Sequence, residues 1–222
     1  MIKAVIFDVD GVIIDSMPAW RHCGRNYLRS IGVEAGDDLG LILFPLTMEE
    51  CANYLNKEFS LNKSNSEIID GLTEQVRTAY EKEVELKPGI IEFLEELEKR
   101  GIRKGVATST GMELIEPAFD RLNINKYFDI KLSCTQVGKS KSFPDIFYMN
   151  MDAMGSNTKD TCLIEDGLYS MKTAKQIGMK VIGVYDEVSE ADQEEIKEVS
   201  DIYVDDTGKL FELFADGIFD GE

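Results

Sequence analysis

The chain opens with an unbroken apolar run, Ala4-Val5-Ile6-Phe7, which stops on Asp8-Val9-Asp10-Gly11. A short run of this kind is the pattern of a strand buried on both faces of a parallel sheet. The pattern then becomes helical. Trp20 to Ile31 reads as a helix closed by Gly32, and Thr47-Met48-Glu49-Glu50 has capping-box spacing and opens a second that runs to about Phe59. Ser66 to Glu83 gives a third, with Ile68, Ile69, Leu72, Val76 and Tyr80 at helical intervals. Residues 16–83 contain no convincing strand pattern and are expected to form a small all-helical module.

Beyond Leu86-Lys87-Pro88-Gly89 helix and strand patterns alternate. Helices are expected at Ile90 to Lys99, Met112 to Leu122, Pro144 to Met154, Leu168 to Ile177, Ala191 to Val199 and Leu210 to Phe214. Strands are expected at Gly105 to Thr108, Ile130 to Ser133, Thr161 to Glu165, Val181 to Val184 and Ile202 to Val204. This alternation predicts an α/β fold, a doubly wound, Rossmann-like parallel sheet. The predicted organisation is a core of residues 1–15 and 84–222, with the helical module of 16–83 inserted after the first strand.

Composition narrows the partners. A formal net charge of -18 argues against nucleic acid or an anionic membrane as a partner held by a general positive field. Most of the acids read as solvated helix faces, as in Glu92-Phe93-Leu94-Glu95-Glu96-Leu97-Glu98. Cys23, Cys51, Cys134 and Cys162 lack zinc-ribbon spacing, and His22 is the single histidine, which disfavours a multi-histidine metal site or a Ser-His-Asp triad. With no apolar stretch near the ~20 residues of a membrane helix, a cytoplasmic protein with reduced thiols is expected.

In an open α/β sheet ligands bind beyond the carboxyl ends of the strands. There the sequence places Asp8 and Asp10, Thr108-Ser109-Thr110-Gly111 at a helix entrance, and Glu165-Asp166-Gly167. Strand alternation sends Asp8 and Asp10 to one side, where two carboxylates repel unless a cation lies between them or one keeps a proton. Taken singly, each segment has a plainer reading as a helix cap or a solvated turn. Together they form an oxygen-rich cluster suited to Mg2+, with hydroxyls and helix-start N–H groups suited to an anion. Lys139-Ser140-Lys141 adds cationic groups.

In this order the segments resemble the haloacid dehalogenase superfamily of phosphotransferases, over nearly the whole chain. Asp8-Val9-Asp10-Gly11-Val12 is similar to the first motif, in which the first Asp is the nucleophile and the second the general acid/base. Thr108, followed by Ser109, is similar to the hydroxyl residue of the second motif, Lys141 to the lysine of the third, and Glu165-Asp166 to the acidic fourth. The helical module resembles the small cap of the beta-phosphoglucomutase and phosphoglycolate phosphatase branch. That branch usually has Lys-Pro where this chain has Lys141-Ser142, which leaves Lys139 as a substitute. It also commonly reads Glu-Asp-Ser-x-x-Gly where this chain has Gly167 and Ser170 in exchanged places.

The resemblance implies a Mg2+-dependent phosphatase acting on a small phosphorylated metabolite through an aspartyl-phosphate on Asp8. Asp10 would protonate the leaving group and then activate water, with Lys141, Thr108 and Ser109 around the phosphoryl group. Asp8, Asp166, Glu165 and the Asp10 carbonyl would surround the metal. A sugar-phosphate mutase and an inorganic pyrophosphatase are the enzyme alternatives. A receiver-like domain phosphorylated on Asp ranks lower, because receivers lack the helical insertion. Against the mutase, the family's phosphate-binding Gly-x-x-Arg segment corresponds to Pro45-Leu46-Thr47-Met48, and the hinge histidine position carries Trp20, two residues from His22. Arg21 and Arg25 are the other cationic groups nearby.

Overall fold

In a computed structural model that describes residues 1–43 and 46–219, the first apolar run is strand β1 (Ala4–Phe7), buried along its whole length. After a turn through Gly11, the chain forms the short strand β2 (Ile14–Asp15). Four helices follow: α1 (Met17–Ser30), α2 (Leu39–Leu43), α3 (Met48–Phe59) and α4 (Asn65–Lys82). Reciprocal capping boxes start α3 (Thr47 with Glu50) and α4 (Ser64 with Glu67), so the side chains satisfy N–H groups that the helices leave unpaired. Tyr27, Leu28, Leu55, Ile68, Leu72 and Val76 are buried in this unit. Gly71 lets α4 approach α1, since a Cβ there would stand 2.2 Å from the Tyr27 ring.

Strand β3 (Glu85–Leu86) pairs antiparallel with β2, Ile14 opposite Leu86 and Asp15 opposite Glu85. Two-residue strands carry too little periodicity to be read from sequence. The chain divides into two compact units, residues 16–84 and residues 1–15 with 85–222.

The second unit continues with α5 (Ile90–Lys99), β4 (Arg103–Thr108), α6 (Met112–Arg121), β5 (Ile130–Ser133) and α7 (Cys134–Val137). Then come α8 (Asp145–Met154), β6 (Thr161–Glu165), α9 (Leu168–Gln176), β7 (Lys180–Val184), α10 (Gln193–Val199) and β8 (Ile202–Val204). Six strands form one parallel sheet in the order β5-β4-β1-β6-β7-β8, the doubly wound α/β architecture expected. The helix expected at Ala191 to Val199 forms as α10, while the one expected at Leu210 to Phe214 is a 3-10 turn, Thr207–Phe214. That turn and another before α10, Glu187–Asp192, are started by Asp206 and Asp186, whose side chains accept from the N–H groups of Gly208 and Val188. Such local side-chain bonds favour tight turns over a full α-helix.

Alternation along β1 supplies both faces of the core. Phe7 packs edge-on against Phe93 and Phe128, each at 6.0 Å between ring centres, and Phe214 and Phe219 extend that cluster. Ala4 and Ile6 join Ala107, Phe147, Met151, Leu163, Met171 and Val181 in another buried cluster. With both faces apolar, the polar residues that end β1, β4 and β6 gather at one edge of the sheet.

Candidate active site

The chain winds from β1 outward to β4 and β5, then returns to the other side of β1 for β6, β7 and β8. The winding therefore reverses at β1, the place in such a sheet where loops separate and leave a crevice. Asp8 stands at that point, one residue past β1, and its N–H donates to the Ile164 carbonyl of β6 at 3.0 Å.

Lys141 approaches from the loop before α8. Its Nζ lies 2.9 Å from Asp8 Oδ1 and 2.8 Å from Glu165 Oε2. Ser170 Oγ donates to the same Glu165 oxygen at 2.6 Å, while the Gly167 N–H donates to Oε1 at 3.0 Å. Lys141 and Glu165 are each 1 % exposed, and Asp8 and Asp166 each 7 %. Lys139 lies elsewhere, paired with Asp145 at 2.6 Å over the Phe143 ring. Lys141 is thus the lysine that faces Asp8.

Among the described residues, Asp8, Glu165 and Asp166 each present a carboxylate oxygen within 4.8 Å of the others. Burial, then the Glu165 charge, pushes Asp8 well above the usual carboxylate range against the opposing pull of Lys141. Asp166 is raised by burial and then Glu165. Burial would raise Glu165 as well, but Lys141, Asp8 and Ser170 hold it below its ordinary value. Burial alone would lower Lys141; Asp8 and Glu165 outweigh it and keep the ammonium charged. One ammonium among three buried carboxylates leaves excess negative charge. An all-oxygen donor set of this kind fits a hard divalent cation such as Mg2+.

Asp10 does not share that cluster. It lies beyond the end of β1, half-buried, before the turn that Gly11 makes at φ +83°. Its Oδ2 accepts the Thr110 hydroxyl at 2.7 Å, and the Thr110 N–H donates to Thr108 Oγ1 at 3.0 Å. A hydroxyl that accepts in this way still has its own O–H to donate. Thr110 was visible in the Thr108-Ser109-Thr110 run but carried no separate signal for contact with Asp10.

Gly11 also lies against the acidic cluster, since a Cβ there would stand 2.7 Å from Asp166 Oδ2 and 3.2 Å from Asp186 Cγ. Asp186 pairs with Lys87 at 2.9 Å. This second ion pair escaped the sequence reading because its partners lie 99 residues apart. Ser109 is exposed, its Oγ 3.2 Å from the Tyr169 hydroxyl and 3.8 Å from Cys134 Sγ. Tyr169 was likewise unmarked in the sequence.

A family model described as haloacid dehalogenase-like hydrolase matches residues 5–184. The chain belongs to the haloacid dehalogenase-like hydrolase family. It is 26% identical over 180 residues to a phosphorylated carbohydrates phosphatase of Thermotoga maritima, covering 81% of this chain and 83% of the relative. Hexitol phosphatase B of Escherichia coli is 25% identical over 189 residues, covering 82% and 83%. A solved structure of a candidate beta-phosphoglucomutase from Thermotoga maritima has the same fold, with a TM-score of 0.87 at 22% identity, covering 97% of this chain and 99% of that one. As a haloacid dehalogenase-like hydrolase the chain is an enzyme, and among the described residues no helix is long and apolar enough to cross a membrane.

Proposed function

We propose that this hydrolase removes phosphate from small phosphorylated carbohydrates through an aspartyl-phosphate on Asp8. The observation that carries the reading is the buried Asp8 carboxylate at the reversal point of the sheet, with Lys141 at 2.9 Å and the carboxylates of Glu165 and Asp166 beside it. Asp8 attacks phosphorus while the bond to the sugar oxygen breaks, and Asp10 gives that oxygen its proton. Asp10, now a carboxylate, takes a proton from water as the water attacks the aspartyl-phosphate and releases inorganic phosphate. Lys141 balances the charge on Asp8 and on the phosphoryl oxygens. When bound, Mg2+ held by Asp8 and Asp166, with Glu165 beside them, would offset the charge of the transferring group. Thr110 orients Asp10, and Thr108 and Ser109 offer hydroxyls to the phosphoryl oxygens. The helical unit is read as the family's cap.

The carbohydrate substrate class rests on the names of the two phosphatase relatives. Hydrolysis rather than mutase action is favoured by the stretch Pro45-Leu46-Thr47-Met48. Pro45 lies outside the described residues, Thr47 caps α3, and Met48 opens that helix half-buried. A thioether cannot hold the far phosphate of a bisphosphate as a guanidinium does.

The test is phosphate release with Mg2+ across hexose 6-phosphates, hexitol phosphates, phosphoglycolate and pyrophosphate, alongside a coupled assay for isomerisation of hexose 1-phosphates. Release from carbohydrate phosphates without isomerisation is expected. Efficient isomerisation with negligible phosphate release would overturn the reading, as would activity confined to pyrophosphate.

A further inference from the structure

We propose that the Tyr169 hydroxyl is a direct donor to the phosphoryl group, making Tyr169 a catalytic residue of this chain together with Ser109. The inference rests on the proposed phosphotransfer at Asp8 and adds a residue to it. Strands β4 and β6 flank β1, so their ends lie about two strand spacings apart, roughly 10 Å. Ser109 directly follows β4, and Tyr169 lies in the first turn of α9, after β6. Their hydroxyls meet at 3.2 Å. The bond therefore bridges the carboxyl end of β1, and only a long side chain from one flank could close that gap.

The bridge also differs from the groups beneath it in being open to solvent. Tyr169 is 46 % exposed and Ser109 is exposed, whereas Asp8, Lys141, Glu165 and Asp166 are buried. The charges of Lys141, Glu165 and Asp8 all act on the Tyr169 phenol, so its hydroxyl lies within electrostatic reach of the group that a phosphorylated Asp8 would carry. Both are rotatable O–H donors, so each can exchange the other for an anionic oxygen while making one new charge-assisted bond. Gly167 leaves room for Glu165, since a Cβ there would stand 3.1 Å from its Oε1, and meets the Tyr169 ring at ordinary contact distance, 3.4 Å from Cε1. Ser170 then supplies the hydroxyl that holds Glu165.

The deciding experiment is calorimetric binding of inorganic phosphate, with Mg2+ present, to the wild-type protein and to Tyr169→Phe. A parallel measurement gives kcat/KM on the best phosphomonoester. Loss of a hydrogen bond to a charged group predicts phosphate binding and kcat/KM each weakened about 10- to 100-fold, with Tm unchanged. Tyr148→Phe, which alters an exposed phenol on α8, should bind phosphate as the wild type does. Unchanged phosphate affinity in Tyr169→Phe overturns the proposal, whatever happens to Tm or kcat/KM. Binding needs no turnover, so this failure is distinct from that of the proposed function, in which the wild type would release no phosphate from any monoester.

Discussion

Asp8 and Asp10 are separated by one residue, yet Asp8 is buried against Lys141 and two further carboxylates, while Asp10 is half-buried and accepts a hydroxyl from Thr110. Both lie past the end of β1, and the difference comes from the groups that meet them, Lys141 from the loop before α8 and Thr110 from the loop after β4. Two identical side chains thereby receive different chemistry. A carboxylate fixed by an ammonium in a closed cluster suits attack at one point, whereas one held by a hydroxyl in a more open turn can trade protons with a leaving group or water.

The contrast is broken most severely at Asp8. Asp8→Asn should lower phosphate release roughly ten-thousand-fold or more, while circular dichroism stays that of the wild type because the amide has nearly the same shape. Removing the counter-charge comes next. Lys141→Ala leaves Asp8 and Glu165 buried without their cation, which predicts a loss of about 3–5 kcal/mol in stability by denaturant titration and a fall of about 100- to 1000-fold in kcat. Lys139→Ala should stay within about twofold on both, as an exposed ion pair contributes little. A larger effect at Lys139 would contradict the assignment of Lys141.

Excess negative charge makes stability depend on pH and metal. Asp8 and Asp166 have raised folded pKa values, so their contribution is complete below the unfolded pKa and is lost as pH rises through the folded one. Glu165 is lowered and acts in the opposite sense, its contribution present above the unfolded pKa and lost as pH falls through the folded one. In EDTA the net effect is a Tm that declines as pH climbs above the ordinary carboxylate range. Added Mg2+ should raise Tm more at about pH 8 than at about pH 5, because protonated carboxyls bind it poorly. An equal rise at both would count against the cluster as the metal site. A smaller effect than at Asp8 or Lys141 belongs to the other carboxylate: Thr110→Val should reduce kcat about tenfold, as loss of one hydrogen bond to a charged group predicts, with Mg2+-dependent melting unchanged.

Much of this arrangement was legible because it depends on local pattern. The apolar run before Asp8, the capping box at Thr47 and the alternation after Gly89 each declare themselves within a few residues, and together they predict the α/β sheet. The Thr110–Asp10 bond, however, joins residues 100 apart in sequence and had no local signal. The Lys87–Asp186 pair and the Ser109–Tyr169 bond join residues distant in sequence, and nothing local marks Lys87, Asp186 or Tyr169. The β2–β3 ribbon is too short to show a period.

The central claim, that phosphate passes through a covalent bond to Asp8, is tested most directly by acid-quenching the enzyme during turnover and mapping phosphoryl-bearing peptides by mass spectrometry. The Asp10→Asn variant should serve best, since an activated acyl or aryl phosphate donor can still phosphorylate it while water attack is slowed. The account predicts one phosphoryl group on the peptide containing Asp8, lost on treatment with hydroxylamine and absent from Asp8→Asn. A phosphoryl group mapped to another residue, or an equally phosphorylated Asp8→Asn protein, would contradict it.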